Sequence, residues 1–311
     1  MSDPCDLCGG TSFAPYAPGM YRLRGRDHDL VRCRDCSLVQ VRPLPDAAAV
    51  RSMYGEDYFE KDYDSCLSEA SYFDSFPRLM ARYGALLDAI EHYQPRGTLF
   101  EVGSAGGYFL RLAQERGWKA RGIEITEAGS RHAREEFGLD VEQWAFPDPA
   151  FATEPHDVLY MGHVLEHVRS PAAAIEAAGA LLRPGGLLVI EVPSYIASAY
   201  FRVLQQAIPM LRRLGLAAPE LLRALKFPQP GEAMEPFHLY EFRRQTLVRL
   251  LDRFGYRVLR TESRVPKPDS VARGEGLVQR GVGLVFDVLD LGALRLGLPG
   301  GNISVFARRP A

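Results

Sequence analysis

Cys5 and Cys8 stand two residues apart in PCDLCGG, and Cys33 and Cys36 repeat that spacing in RCRDCS. Four thiolates in two such knuckles match the tetrahedral sulfur set of zinc, because each tight turn supplies two ligands at once. Gly9 and Gly10, just after the first knuckle, suit a close backbone approach to sulfur. The competing readings are two accidental CxxC sequences or a redox pair. The doubled spacing and a reducing compartment favour the metal. Four protein ligands close the coordination sphere, so the expected role is structural. Cys66 stands alone and reads as an ordinary thiol.

Two further groups of residues could do chemistry. The first is EVGSAGG, Glu101 to Gly107, with Glu124 lying 21 residues beyond Gly103. Glycines that open a helix point backbone N–H groups at a ligand, and an acidic side chain at the next strand end can accept from both hydroxyls of a ribose. The second is a set of proton-handling side chains: His163, Glu166 and His167 in HVLEH, and His238 in EPFHLYEF with Glu235 and Tyr240 beside it. Neutral imidazoles take protons near pH 7.

The elements that must position these residues alternate. Residues 71–94 read as a helix after Pro77, stopped by Pro95 and Gly97. Thr98 to Val102 is an apolar strand, Gly103 to Gly107 a turn, and Tyr108 to Arg116 an amphipathic helix closed by Gly117. KARGIEI is a second strand ending at Glu124, followed by a helix from Ala128 to Phe137 and a short strand near Leu139 to Val141. HDVLYMGHV is a fourth strand, Pro171 to Leu182 a helix, and RPGG turns the chain into the strand LLVIEV. This alternation predicts an α/β fold, a doubly wound Rossmann-like parallel sheet. The segment between the knuckles reads as a hairpin arm, and Pro43 and Pro45 as the stiff end of the module. The expected division is a ribbon over 1–45, helical segments over 46–95, and an α/β domain over 96–311 with a helical insertion at 195–235.

Composition excludes several classes. The net charge is -2, and residues 1–42 hold six arginines (22, 24, 26, 32, 34, 42) against five aspartates (3, 6, 27, 29, 35). That is thin for a phosphate-backbone surface, so no nucleic-acid partner is expected. No run approaches the ~20 apolar residues of a membrane span. MSDPCDLCGG holds no apolar leader, so a cytoplasmic location is expected.

The glycine turn lacks the nicotinamide fingerprint, because Ala105 stands two residues after Gly103. It resembles instead motif I of the class I S-adenosylmethionine-dependent methyltransferases. The resemblance continues through Glu124, HDVLYMGHVLEHVRSP, LLRPGGLLVIEVPS, FHLYEFRRQTLVRLLDRFGY and the last strand NISVFARR. It implies that Glu101, Gly103, Ser104, Ala105, Gly107 and Tyr108 surround the methionine part of the cofactor and that Glu124 holds its ribose. It also implies that Trp144, Ala145 and Phe146 run along the adenine and that His163 sits nearest the cofactor. A zinc ribbon before such a domain is similar to bacterial sugar and natural-product methyltransferases. The implied acceptor is a small molecule, a nucleotide-linked sugar or biosynthetic intermediate, methylated at carbon or oxygen. The alternatives are an RNA base methyltransferase, or a protein that binds the cofactor for regulation without turnover.

His238 is the first candidate for the general base, because resembling sugar C-methyltransferases place a histidine in a comparable segment. His163, His167 and Glu166 are the other candidates, with His163 and His167 expected on one helical face; a packing or capping role is the competing reading of His167. The insertion, with Tyr200, Phe201, Arg202, Arg212 and Arg213, reads as a lid or substrate wall, or alternatively as a homodimer interface.

Overall fold

The computed structural model describes residues 3–55, 58–59, 76–194, 196, 238–265 and 300–311, with isolated positions between 210 and 295. Cys66, Glu235 and the insertion residues Tyr200, Phe201, Arg202 and Arg212 lie outside the described residues.

The N-terminal module is a hairpin of β1 (Phe13–Leu23) and β2 (Arg26–Cys33), extended by β3 (Val39–Arg42). The hairpin reading of this segment holds. Beyond Pro45 the chain enters helix α1 (Ala47–Arg51), whose Asp46 side chain accepts from Ala49 N.

The main sheet has seven strands. In chain order these are β4 (Thr98–Val102), β5 (Lys119–Glu124), β6 (Val141–Gln143), β7 (His156–Gly162) and β8 (Leu182–Pro193), then β10 (Arg257–Arg264) and β11 (Asn302–Arg308). Their spatial order is β10-β11-β8-β7-β4-β5-β6. From β6 to β8 the pairings are parallel, whereas β11 runs antiparallel to both β8 and β10. The strand order reverses between β4 and β7, and the crevice at such a switch point is where ligands bind.

Helix α2 (Phe76–Tyr93) leads into β4, and α3 (Tyr108–Glu115), α4 (Glu127–Phe137) and α5 (Pro171–Leu181) connect successive parallel strands. A sixth helix, α6 (Arg244–Arg253), precedes β10. One apolar face of the sheet packs Phe109, Leu110 and Trp118 with Leu87 and Ile90 of α2. The other packs Val102, Leu159 and Ile190 in one cluster that continues through Leu247 and Tyr240 to Leu7, Leu23 and Leu38 of the N-terminal module. The module therefore shares the core of the domain.

Two readings need correction. HVLEH does not form a helix: it is a turn, and His163 adopts φ 56, which breaks helical geometry at its first residue. RPGG does not lie between helix and strand but inside β8, which starts at Leu182. Strand β9 (Tyr240–Glu241), too short to show a period of two, was not expected; it pairs with β3 and completes the four-stranded sheet of the ribbon. Among the described residues, no helix is long and apolar enough to cross a membrane.

Candidate active site

A cleft of about 480 Å³ opens at the carboxyl ends of the parallel strands. Its floor is the β4–α3 turn. Gly103 N and Ser104 N both donate to Ile123 O, at 2.8 and 3.0 Å, which ties the turn to β5. Gly103 has φ +74, and a Cβ there would stand 2.5 Å from the Val164 side chain. Ala105 takes φ 47, a left-handed conformation that glycine adopts at less cost. Gly107, φ 85, caps α3, and a Cβ on it would press on Leu139 and Ala133.

Glu124 closes one side. Its Oε2 accepts from Ala105 N at 2.8 Å, and its Oε1 accepts from Thr126 N and Oγ1 at 2.9 and 2.8 Å. A carboxylate offers about four acceptor sites, so capacity remains for a hydroxyl. Burial raises its pKa against these hydrogen bonds. Glu101 lies deeper: it is 3% exposed, lines the cleft, and its Oε2 has no hydrogen-bond partner among the described residues. Burial and the neighbouring Glu124 charge push its carboxyl well above the usual range. A buried orphan acceptor facing a cleft is complementary to a cation or N–H donor, such as an amino-acid ammonium.

Of the residues implied by the resemblance, Glu101, Gly103, Ser104, Ala105, Glu124, Trp144, Ala145, Phe146 and His163 line this one cleft, as does the base candidate His167, whereas Gly107 is not part of the lining. Trp144 is held there by its backbone N–H on Glu124 O at 2.9 Å. Tyr108 is instead buried in the wall, its ring packed on His132 and Phe137. Tyr54, Tyr58, Phe59 and Arg82 line the cleft as well. They come from segments with no sequence motif, and their signal is only the aromatic content of 54–59.

Glu166 is the hub of the proton-handling groups. It is fully buried, 3.4 Å from His163 Nδ1 and 3.6 Å from His167 Nε2. Burial alone would raise its pKa, but contact with His163 and the positive charge of His167, His163 and His238 hold it at about 2. Arg82 reaches the other face of His163, 3.3 Å from Nε2. His238 sits one layer behind. Its ring packs edge-on against that of His167 with centroids 5.0 Å apart, and its Nδ1 is 3.6 Å from Glu241. Among the described residues, His163 and His167 line the cleft and His238 does not.

Glu191 anchors Arg82. It accepts from Arg82 at 2.9 Å, Tyr160 Oη at 2.7 Å and Ser304 Oγ at 2.8 Å. Burial opposes ionisation, yet Arg82 and these donors hold the carboxyl at about 2. Because the folded pKa lies below the unfolded value of about 4.3, the group stabilises the fold above that pH and loses its contribution as pH falls toward 2. Glu191→Gln is expected to remove roughly 3 kcal/mol at pH 7 and to flatten the stability-versus-pH curve between about 4.3 and 2. Denaturant titrations at a series of pH values check both.

In the N-terminal module, Cys5, Cys8, Cys33 and Cys36 converge with their sulfurs within 4.8 Å of one another. Cys5–Cys36 is 3.5 Å and Cys8–Cys33 3.6 Å, so neither pair is a disulfide. The two knuckles match in detail: the residue after each second cysteine, Gly9 and Ser37, has positive φ, 73 and 67. Zinc–sulfur bonds of about 2.3 Å in a tetrahedron imply sulfur separations of about 3.8 Å, so the four side chains fit the metal closely.

A model of the methyltransferase domain family matches residues 74–261, more than half of the chain. The ubiquinone biosynthesis O-methyltransferase of Actinobacillus pleuropneumoniae serotype 5b is 28% identical over 159 residues, 48% of this chain and 67% of that protein. The protein of the same name from Bordetella bronchiseptica is 34% identical over 94 residues, 28% of this chain and 39% of that one. The chain thus spans between 39% and 67% of the length of these two relatives. Magnesium protoporphyrin IX methyltransferase from Synechocystis PCC 6803, solved with bound SAH, superposes with a TM-score of 0.50 at 11% identity, over 84% of this chain and 99% of that one. The likeness shows the fold. With its sheet order, its glycine turn and the family match together, the chain belongs to the methyltransferase domain family and has the Rossmann-like fold of the S-adenosylmethionine-dependent methyltransferases.

Proposed function

We propose that this protein transfers a methyl group from S-adenosylmethionine to a hydroxyl of a small-molecule acceptor, a nucleotide-linked sugar or a biosynthetic intermediate, and carries a structural zinc at Cys5, Cys8, Cys33 and Cys36. The observation that carries the reading is one cleft lined both by the orphan carboxylate of Glu101 with Glu124 and by two histidines backed by a buried glutamate. The bound cofactor supplies a methyl group on a sulfonium, which needs an aligned nucleophile and a place for the acceptor proton. Glu101 would face the methionine ammonium, Glu124 the ribose, and Trp144 to Phe146 the adenine. His163 would take the proton, and Tyr54, Tyr58 and Arg82 would surround the acceptor. The names of the two relatives support oxygen as the acceptor atom. The net charge of -2 weighs against an RNA substrate.

Calorimetry with S-adenosylmethionine tests the cofactor half. Glu124→Ala is expected to weaken binding by about 1.5–3 kcal/mol, the scale of hydrogen bonds to a charged group. Unchanged affinity in a folded variant sinks the assignment. Turnover of a labelled methyl group against hydroxylated acceptors and against RNA tests the other half: incorporation into RNA alone overturns the small-molecule reading.

A further inference from the structure

We propose that the four-cysteine ribbon braces the catalytic centre from behind: a metal at the cysteines fixes the spacing between the two chain segments that carry the histidines. The inference rests on the zinc and histidine roles proposed above and adds the link between them.

Each knuckle grips a different segment. Asp6 lies between Cys5 and Cys8. Its carboxylate accepts from Ser170 Oγ and from Ala172 N, both at 2.7 Å. Ser170 caps α5 and ends the turn that bears His163, Glu166 and His167. The first knuckle thus holds that turn at its exit. Arg253 at the end of α6 reinforces it by donating to Asp6 O and Leu7 O at 2.9 and 3.1 Å.

The second knuckle leads directly into β3, with Cys33 N donating to Leu38 O at 2.9 Å. β3 then binds the strand that follows His238. Val41 N donates to Leu239 O at 2.9 Å, and Val39 and Gln40 pair with Glu241 and Tyr240. On its other edge the same strand meets the HVLEH turn: Leu239 N and Tyr240 N both donate to Glu166 O, at 2.8 and 3.2 Å. The backbone after His238 is therefore held between the ribbon and the residue at the centre of the histidine cluster.

The close sulfur pairs, Cys5 with Cys36 and Cys8 with Cys33, join one knuckle to the other. A metal bound to all four sulfurs would hold the two grips at one separation. The contact that depends on that separation is the His167–His238 ring pair at 5.0 Å, beside the carboxylate that backs His163. Misplacement by about 1 Å around a reacting group costs on the order of 10²-fold in rate, so a rivet far from the cleft can matter to it.

The test uses the full chain with ¹⁵N-labelled histidine, after metal analysis of the reduced protein, and withdraws zinc with a chelator. Metal loss is expected to shift the ring signals of His167 and His238 together. It should lower hydrogen-exchange protection of the Val41 amide, which bonds Leu239 O, by on the order of tenfold or more, while the amides of β4 and β7 stay protected. Affinity for S-adenosylmethionine should change by less than about twofold, since Glu101 and Glu124 stand on β4 and β5 whereas the knuckles grip α5, α6 and β9. Asp6→Ala provides an arm that leaves the thiols intact: zinc is retained, and the His167 signal moves while the Val41 amide, bonded to Leu239 O, remains protected. Unmoved His167 and His238 signals in metal-free protein overturn the proposal. So does loss of all amide protection in one step, which would make the metal a general stabiliser. A reduced protein that contains no zinc removes the reading on which the proposal rests.

Discussion

The Cys33→Ser, Cys36→Ser double variant is expected to be isolated without zinc and with the ribbon amides of residues 3–45 open to exchange, whereas the unaltered protein holds one zinc per chain. Two of four ligands then lack a soft donor, and structural zinc sites contribute apparent free energies of about 10–16 kcal/mol. That exceeds what so short a hairpin can replace with apolar burial. Of its buried side chains, Leu7, Leu23 and Leu38 share one cluster with Tyr240 and Phe242 of the domain. Loss of the ribbon uncovers those aromatics, so the thermal midpoint should fall while the parallel sheet keeps its protection. Metal analysis and hydrogen exchange check the two halves separately. A Cys66→Ser protein should keep its zinc. Full zinc content in the double variant would place the metal elsewhere.

The parallel sheet and the cofactor end of the cleft were legible in the sequence because both are local. A strand, a glycine turn and a helix succeed one another within residues 98–115, and Glu124 closes the next strand. The cysteine spacing was legible for the same reason. What escaped depends on distant pairing. β9 is only Tyr240–Glu241, and it exists because β3, some 200 residues earlier, offers it an edge. The acceptor side draws Tyr54 and Tyr58 from the segment after α1 and Arg82 from α2, residues that share no pattern. HVLEH was read with helical spacing, yet it forms a turn. His163 and His167 both lie against the same carboxylate oxygen of Glu166. His238 is the first candidate for the base on the strength of a resemblance; among the described residues it packs behind His167 and does not line the cleft, which is why we propose His163 in that role.

His163→Ala is expected to lower kcat by about 10²–10⁴-fold, the usual contribution of a positioned base, with little change in affinity for S-adenosylmethionine. The argument begins with the partners of the ring. Arg82 lies 3.3 Å from Nε2, and a guanidinium can only donate, so Nε2 presents its lone pair on that side. Nδ1 therefore carries the hydrogen, directed at Glu166 Oε1 3.4 Å away. At that length the link works through charge more than through a well-formed hydrogen bond. Nε2 is free to take a proton once the acceptor hydroxyl displaces Arg82 from it, and Glu166, held ionised down to about pH 2, steadies the imidazolium that then forms. Glu166→Gln keeps the shape but removes that charge, so it should lower kcat by less than His163→Ala does. His238 lies behind His167, which it touches edge-on, so His238→Ala should cost no more than about tenfold. Steady-state kinetics of the three variants decides the order. A His238→Ala protein that loses the full factor while His163→Ala stays active would return the base to the strand after the insertion. If all three turn over normally, the acceptor reaches the cleft already ionised, and Arg82 with the aromatic wall of Tyr54 and Tyr58 becomes the part of the site that selects it.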